Sequence, residues 1–312
     1  MKESDYPKIV ILYGGISNER AVSLMSGKRV YHELKLNFDV ELVDIDKPEI
    51  ARTHFTDNSI AFPLMHGEFG EDGKAQKILE AMGIHYVGSD VESSAICMNK
   101  ILTKQKVAVH GVRLTPSIAF TLDNKPDAKT VTGQLGNDVV LKPVCGGSTL
   151  DVSLLSGEKE ISDALEILAP GYWMIEKRIF GPEVSIGVLN GKSMGVVGIN
   201  PEGGFHDYAR KYTPGLTKHE LPANLSADVL KEIQHMTEVA FAACGCRDFG
   251  RVDMMVEDGK TPYFLELNTI PGMTPTSIYP DSGKCMGYDS DELCRQIVMP
   301  AMQRFKSKLL TV

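Results

Sequence analysis

The chain has 312 residues, 43% of them hydrophobic and 24% charged, the composition of an ordinary folded protein rather than a disordered or fibrous one. Its length exceeds one compact core of ~100 to 200 residues, so two or three domains are expected. Lysine and arginine number 33 against 41 acids, a formal net charge of −8 with no basic block, which argues against nucleic acid as a partner because phosphate binding needs clustered cations.

The first apolar run, Ile9 to Tyr13, is too short for a signal segment, and no stretch approaches the ~20 apolar residues of a membrane-spanning helix. A cytoplasmic protein without a membrane partner is expected. The six cysteines include no CxxC and no Cys/His ligand spacing, so free thiols are expected rather than zinc or a disulfide framework.

In chain order, Lys8 to Gly15 is a continuous apolar run ended by two glycines, and Ala21 to Leu36 carries apolar residues at helical spacing. Phe38 to Ile45 and Ile60 to Met65 read as further strands, and Ala75, Ile78, Leu79 and Met82 line one face of a helix. This alternation predicts a parallel sheet with crossover helices, whose ligands sit at the carboxyl ends of the strands, where Gly14-Gly15 and His66-Gly67 fall. A helix is expected over 94–109. A small α+β unit follows, with strands Val139 to Lys142 and Asp151 to Leu155 around a Cys-Gly-Gly-Ser-Thr turn and a helix from Ile161 to Leu168. Strands at Trp173 to Glu176, Val184 to Leu189 and Met194 to Ile199 precede a Gly/Pro-rich segment from Pro201 to Pro222. A further helix starts at an N-cap, Ser226, with Val229, Leu230, Ile233, Met236, Ala240 and Phe241 on its buried face.

Arg251 to Val256 and Tyr263 to Asn268 are strand-like runs joined by a loop containing Asp258-Gly259, a hairpin signal. Pairing centred on that loop sets Asp253 opposite Glu266. Alternation then places Glu266 and Asn268 on the face of Asp253, with Val252, Met254, Leu265 and Leu267 on the other. Two facing carboxylates repel unless a hard cation such as Mg²⁺ lies between them; the alternative is a solvated outer face of a half-buried hairpin. Lys142-Pro-Val-Cys-Gly-Gly-Ser-Thr149 suits a loop whose backbone N–H groups fold over phosphate, or is an ordinary β-turn. Gly187 to Ser193 is one residue short of GxxxxGK[ST] and reads as a hairpin turn. His66 to Gly73 gathers a histidine and three acids before a helix, where they either favour an anion site or cap the helix. Lys100, Lys211, Glu19, Glu176 and Arg178 are each as compatible with surface charge as with a site.

Together these runs resemble the D-alanine:D-alanine ligases of the ATP-grasp superfamily. The resemblance is carried by Tyr13-Gly-Gly-Ile-Ser-Asn-Glu-Arg20, Met65-His-Gly-Glu-Phe-Gly-Glu-Asp-Gly73, Cys97-Met-Asn-Lys100, Lys142-Pro, Gly147-Ser148, Ile175-Glu-Lys177, Gly181-Pro-Glu183, Lys211-Tyr212, Gly250-Arg-Val-Asp253 and Leu265-Glu-Leu-Asn-Thr-Ile-Pro-Gly-Met-Thr274, in order over nearly the whole chain. It implies an ATP-grasp fold, α/β and α+β, in three parts: a Rossmann-like domain over 1–96, a lid domain over 97–183 and a domain carrying the metal site over 184–312. Lys100, Lys142 and Lys211 would contact ATP phosphates, Glu176 the adenine side and Glu183 the ribose. Asp253, Glu266 and Asn268 would hold two Mg²⁺ ions, with Mn²⁺ able to substitute. Glu19, Ser148, Tyr212, Arg251, Gly272 and Ser277 would act on the reacting groups, and His66 and Ile278 would line the substrate pocket.

The implied activity is joining two D-alanines through an acyl phosphate, in a cytoplasmic homodimer making peptidoglycan precursors. A segment near Tyr208 to Leu221 would close over the intermediate. The chain departs from the family pattern at Asn99, Gly146, Asp151, Arg178 and Thr276, which keeps open a ligase for another amino-acid pair. A catalytically weak nucleotide-binding regulator is the other alternative, against which the intact Arg251, Asp253, Glu266 and Asn268 set argues. Tyr212 favours an amine acceptor over D-lactate.

Overall fold

The computed structural model describes residues 6–147, 151–201 and 215–309; Ser148, Lys211 and Tyr212, and the first half of the expected closing segment, lie outside them. β1 (Lys8–Gly14), α1 (Arg20–Leu34), β2 (Val40–Ile45) and β3 (Ser59–Pro63) build a parallel sheet in the order β2-β1-β3. The unbroken apolar run of β1 has a direct cause, because both faces of this sheet are covered. Ile9 and Ile11 pack with Val30 and Leu34 of α1. Val10 and Leu12 pack on the opposite side with Ala75 and Leu79 of α2 (Lys74–Ala81). The last helix of the chain returns to the first face through Ile297, Val298, Ala301 and Met302.

The helix expected over 94–109 is two helices, α3 (Val91–Met98) and α4 (Lys100–Ala108). Asn99 breaks them: its backbone is extended and bridges Cys145. Its side chain accepts from the N–H groups of Ile101 and Leu102 at 3.1 and 3.0 Å. The apolar pattern runs on across the break, and only the capping preference of asparagine marks it. The break has a consequence for the site, since the Lys100 N–H now donates to the Val144 carbonyl at 3.0 Å, which ties α4 to the glycine turn after β5.

β4 (Ser117–Phe120), β5 (Asp138–Pro143), β6 (Ser153–Ser156) and β7 (Trp173–Lys177) form an antiparallel sheet in the order β4-β7-β5-β6. One face is covered by α5 (Ala128–Leu135) and α6 (Gly157–Glu166), through Val131, Leu135, Ile161 and Leu165. Val140 pairs with Glu176 and Lys142 with Met174, so by alternation Lys142 and Glu176 face away from that core.

The third sheet runs β10-β9-β8-β11-β12, from β8 (Glu183–Leu189), β9 (Lys192–Pro201), β10 (Thr217–Glu220), β11 (Phe249–Glu257) and β12 (Thr261–Asn268). α7 (Ala227–Ala243) covers its outer face with Ile233, Met236, Ala240 and Phe241. Ser226 caps this helix through the Val229 N–H. The Gly187–Ser193 run is a β8–β9 hairpin turn, with Asn190 and Gly191 at φ of 53° and 77° as a type I′ turn needs. β10 lies inside the segment expected to be irregular. It is a polar edge strand of Thr, Lys, His and Glu, with no apolar alternation to reveal it.

The β11–β12 register sets Asp253 against Glu266, as expected, but a bulge follows and Met254 pairs with Phe264. Leu265 therefore changes face, leaving Phe264 to join Val252, Met254 and Leu267 in the core. The expected orientation of Leu265 is corrected accordingly: it lines the cavity beside Glu266. A bulge adds one residue to one strand and shifts the alternation there by one. Finally, α8 (Ile278–Lys284) and α9 (Ser290–Leu309) complete the described chain. Ser282 of α8 accepts from the Gly187 N–H at 2.9 Å, anchoring α8 to the inner face of the third sheet.

Candidate active site

Two adjoining cavities lie where the three sheets converge. The larger, about 520 Å³, is lined by Lys100, Lys142, Glu176, Glu183, Asp253 and Glu266 among others. The smaller, about 90 Å³, is lined by Glu19, His66, Arg251, Asn268, Gly272, Ser277 and Ile278 with Asp253 and Glu266. Every described residue to which the resemblance gives a site role is in one or both. Gly147, Glu183, Ile199, Asp253 and Glu266 border the two and form the passage between them.

The larger cavity has a cationic wall. Glu176, 2% exposed, forms ion pairs with both Lys104 and Lys142 and accepts from Thr115 Oγ1 at 3.2 Å. Burial alone pushes the Glu176 carboxyl up, but the two ammonium groups outweigh it and hold it at about 2. Burial pushes Lys104 the other way, below its ordinary value. Lys104 was not singled out from the sequence, although it follows Lys100 by one turn of the same helix. Lys100 Nζ donates to the Gly146 carbonyl at 2.6 Å and lies 3.4 Å from Glu266 Oε2. Arg178, in the same lining, stacks its guanidinium 4.8 Å from the Phe180 ring centre.

The facing wall is the inner side of the third sheet. Arg251 holds both oxygens of Asp253 in a fork, Nε to Oδ1 at 2.9 Å and Nη2 to Oδ2 at 2.7 Å. Ser185, on the neighbouring strand and directly across from Asp253, donates to the same carboxylate. Asn268 Oδ1 accepts from the Ile270 N–H at 2.9 Å, which turns the chain into the next loop. The donor set that Asp253, Glu266 and Asn268 present is oxygen only. It fits a hard divalent cation and would not suit a soft one.

The smaller cavity is built by the turns after β1 and β3, at the carboxyl ends of those strands, and by the loop 269–277. His66 is 4% exposed, with Nδ1 3.0 Å from the Ile270 carbonyl and Nε2 3.1 Å from Ser26 Oγ. Ser26 also accepts from the Met273 N–H at 3.1 Å. The Ile270 carbonyl can only accept, so Nδ1 carries a proton. Burial, as the largest influence, holds His66 below its ordinary value. His66 therefore both lines the cavity and fixes the 269–274 loop, a task the sequence did not reveal.

Two glycines lie at points of close approach. A Cβ at Gly147 would stand 3.2 Å from Glu19 Oε2, and one at Gly272 would stand 2.8 Å from Ser277 Oγ. The first contact brings the first sheet's glutamate against the turn after β5. The second packs the 269–274 loop onto the start of α8.

Glu71 was read only as one of the three acids of the His66–Gly73 turn, which either mark an anion site or cap the helix. Asp72 takes the capping part, accepting from the Lys74 N–H at 3.1 Å. Glu71 turns inward, accepts from the Gly67 N–H at 2.6 Å and borders the smaller cavity. Burial first, and Glu19 second, push its carboxyl well above the ordinary range. Ser185, Ser26 and His219 also line or support the site without having been singled out.

Family models describe most of this chain. The D-ala D-ala ligase C-terminus matches residues 107–299 and the D-ala D-ala ligase N-terminus matches residues 48–89. The D-alanine--D-alanine ligase of Syntrophotalea carbinolica is 37% identical over 97% of this chain and 99% of its own length. The Bacillus anthracis D-alanine--D-alanine ligase complexed with ATP superposes with a TM-score of 0.84 at 29% identity, over 97% of this chain and 99% of that one. The VanG D-Ala:D-Ser ligase of Enterococcus faecalis superposes at 0.82 with 28% identity, over 95% and 99%. With sequence similarity over nearly the full length of both chains and two cavities lined by the motifs that carry it, the chain belongs to the D-alanine–D-alanine ligase family.

Proposed function

We propose that this protein joins two D-alanines in an ATP-dependent reaction, giving D-alanyl-D-alanine, ADP and phosphate. The observation that carries the reading is that Lys100 and Lys142 line one cavity together with Asp253 and Glu266, Lys100 reaching to 3.4 Å from Glu266, and that this cavity opens into a second lined by Glu19, Arg251, Gly272 and Ser277. A triphosphate seated in the first cavity ends where an amino acid in the second begins.

A carboxylate is a poor electrophile. The donor D-alanine carboxylate attacks the γ-phosphoryl group, ADP leaves, and the acyl phosphate that forms has a phosphate leaving group. The acceptor amine then attacks the acyl carbonyl, and phosphate departs from the tetrahedral adduct. Lys100 and Lys142 neutralise charge that spreads over the phosphoryl oxygens, and Arg251 with the Gly272 N–H stabilises the oxyanion. Asp253, Glu266 and Asn268 are assigned to two Mg²⁺ ions, which when bound offset phosphate charge. Glu183 is assigned to the ribose. Glu176 is assigned to holding Lys104 and Lys142 on the adenine side of the cavity, and Glu19 to orienting the donor ammonium. Ser148, Lys211 and Tyr212 keep the roles that family membership gives them.

The three sheets support the division into parts over 1–96, 97–183 and 184–312, and family membership supports a cytoplasmic homodimer serving peptidoglycan synthesis. No described helix is long and apolar enough to cross a membrane. Phosphate release from ATP, measured with D-alanine, with L-alanine and without amino acid, tests the reading. D-Alanine-dependent release is the expected result. Equal rates in all three would indicate a nucleotide-binding regulator, and a response only to other amino acids would indicate a ligase for a different pair.

A further inference from the structure

We propose that His219, held by Asp281, binds the carboxylate of the acceptor amino acid; this rests on the ligase reading. β10 enters the site as the edge of the third sheet. His219 pairs with Ile199, Ile199 with Glu183, and Glu183 with Met255, so the four side chains form one cross-strand row on one face. Ile199 and Glu183 of that row border both cavities, and His219 lines the smaller one together with Thr276, Ser277 and Ile278. An edge strand thus carries its imidazole to the end of the amino-acid cavity remote from the lysine wall.

The ring is held from behind. Asp281 of α8 lies 2.6 Å from Nδ1, and its other oxygen accepts from Lys284 at 2.6 Å. Asp281 is 7% exposed. Burial pushes its carboxyl up, but the bonds from His219 and Lys284 outweigh this and hold it below its ordinary value. The Asp281 contact at Nδ1 fixes the orientation of the ring and leaves Nε2 as the edge that can face a ligand in the cavity. Lys284 shares the same carboxylate, so Asp281 does not stand alone behind the ring to repel an incoming carboxylate.

Ser277 and Ile278 stand at the start of α8, one turn before Asp281. The oxyanion-stabilising groups assigned above, Arg251 and Gly272, lie in the same small cavity. An acceptor amino acid whose amine addresses the acyl carbonyl there directs its carboxylate toward α8 and His219. The pair is therefore assigned to holding the acceptor rather than to removing its proton.

The test is acceptor competition. Enzyme is given ATP, D-alanine and D-alaninamide, which offers the same amine without the carboxylate, and the two dipeptide products are quantified by mass spectrometry. Wild type is expected to favour the carboxylate acceptor. In His219→Gln the preference should fall roughly ten- to hundredfold, the worth of a charge-assisted hydrogen bond, through a higher KM for the acceptor with kcat and the KM for ATP little changed. Asp281→Asn should move the ratio the same way by less, because it acts through the ring. Circular dichroism verifies that both variants fold. An unchanged product ratio in folded His219→Gln overturns the proposal, as does a fall in kcat with the ratio intact, which would make His219 a base. Failure of wild type to consume D-alanine would instead overturn the ligase reading before any variant is compared.

Discussion

The two walls of the larger cavity solve the same electrostatic problem with opposite signs. On the β4–β7 side, two buried lysines share one buried carboxylate, Glu176. On the β11–β12 side, a carboxylate is held by one guanidinium, that of Arg251. Each wall carries its own counter-charge, which offsets the large desolvation cost of isolated ions. The walls differ in what they can release. Glu176 is enclosed by its partners, whereas Asp253 and Glu266 face both cavities. The lysine wall is therefore a structural unit that also faces the cavity, and the acidic wall is the part left open to the proposed metal and phosphate.

The sharpest way to break this contrast is at Asp253. Asp253→Ala removes an oxygen from the proposed metal site and leaves Arg251 without its fork. D-Alanine-dependent phosphate release is expected to fall on the order of 10² to 10³-fold. Stability should fall as well, since the carboxylate is 7% exposed and Arg251 would lose its partner, so activity is compared on folded protein. Full retention of activity would remove Asp253 from the metal site.

Glu176→Gln should do the reverse, with its main effect on folding. Two buried lysines would lose their counter-ion, at a cost of about 3 to 5 kcal/mol. Trp173, the only tryptophan, lies on the same strand and reports unfolding of that sheet by fluorescence in denaturant. The pH dependence has a defined sign. Because the folded carboxyl sits at about 2 and the unfolded one near ~4.3, its contribution is fully present above the unfolded value. It is lost as pH falls from there toward about 2. The glutamine variant should lack that acid loss.

How much of this was legible in the sequence depended on whether a residue's task is local. The β11–β12 register was legible because a loop and period-two alternation determine it, and so Asp253 and Glu266 were paired correctly. Leu265 was not, because a bulge leaves no mark in the apolar pattern. Asn99 split a helix whose apolar spacing continues through it. Lys104 carried a usable signal, one helical turn from Lys100, but its partner Glu176 is 72 residues away and nothing local links them. His219 had no signal: a polar edge strand looks like a loop, and Asp281 reaches it from another element.

Ser26→Ala probes a contact of this non-local kind. It would leave the His66 Nε2 and the Met273 N–H without a protein partner, at about 1 to 3 kcal/mol. The loop carrying Gly272 would lose its anchor to α1, so the KM for D-alanine should rise as thermal stability falls. Unchanged values for both would remove Ser26 from the support of the site.

The smallest expected effect is at Glu71, and its size is the test. Glu71 Oε1 is buried with no hydrogen-bond partner among the described residues, while Oε2 accepts from Gly67. Burial first, then Glu19 and more weakly Glu266, push its carboxyl well above the ordinary range against the pull of Arg251, which favours the protonated form. Glutamine has nearly the same shape and no charge, so Glu71→Gln should alter stability at neutral pH by less than about 0.5 kcal/mol. The sign of the pH effect is opposite to that of Glu176. A carboxyl raised on folding favours the native state below its unfolded value, near ~4.3, and that advantage diminishes as pH rises from there toward the folded value. Denaturation midpoints between pH 4 and 8 should therefore show a decline in wild type that is shallower in Glu71→Gln. A large loss of stability in the variant at neutral pH would mean that Glu71 is ionised and paired, and that the acid inside the smaller cavity is a charge the substrate must meet.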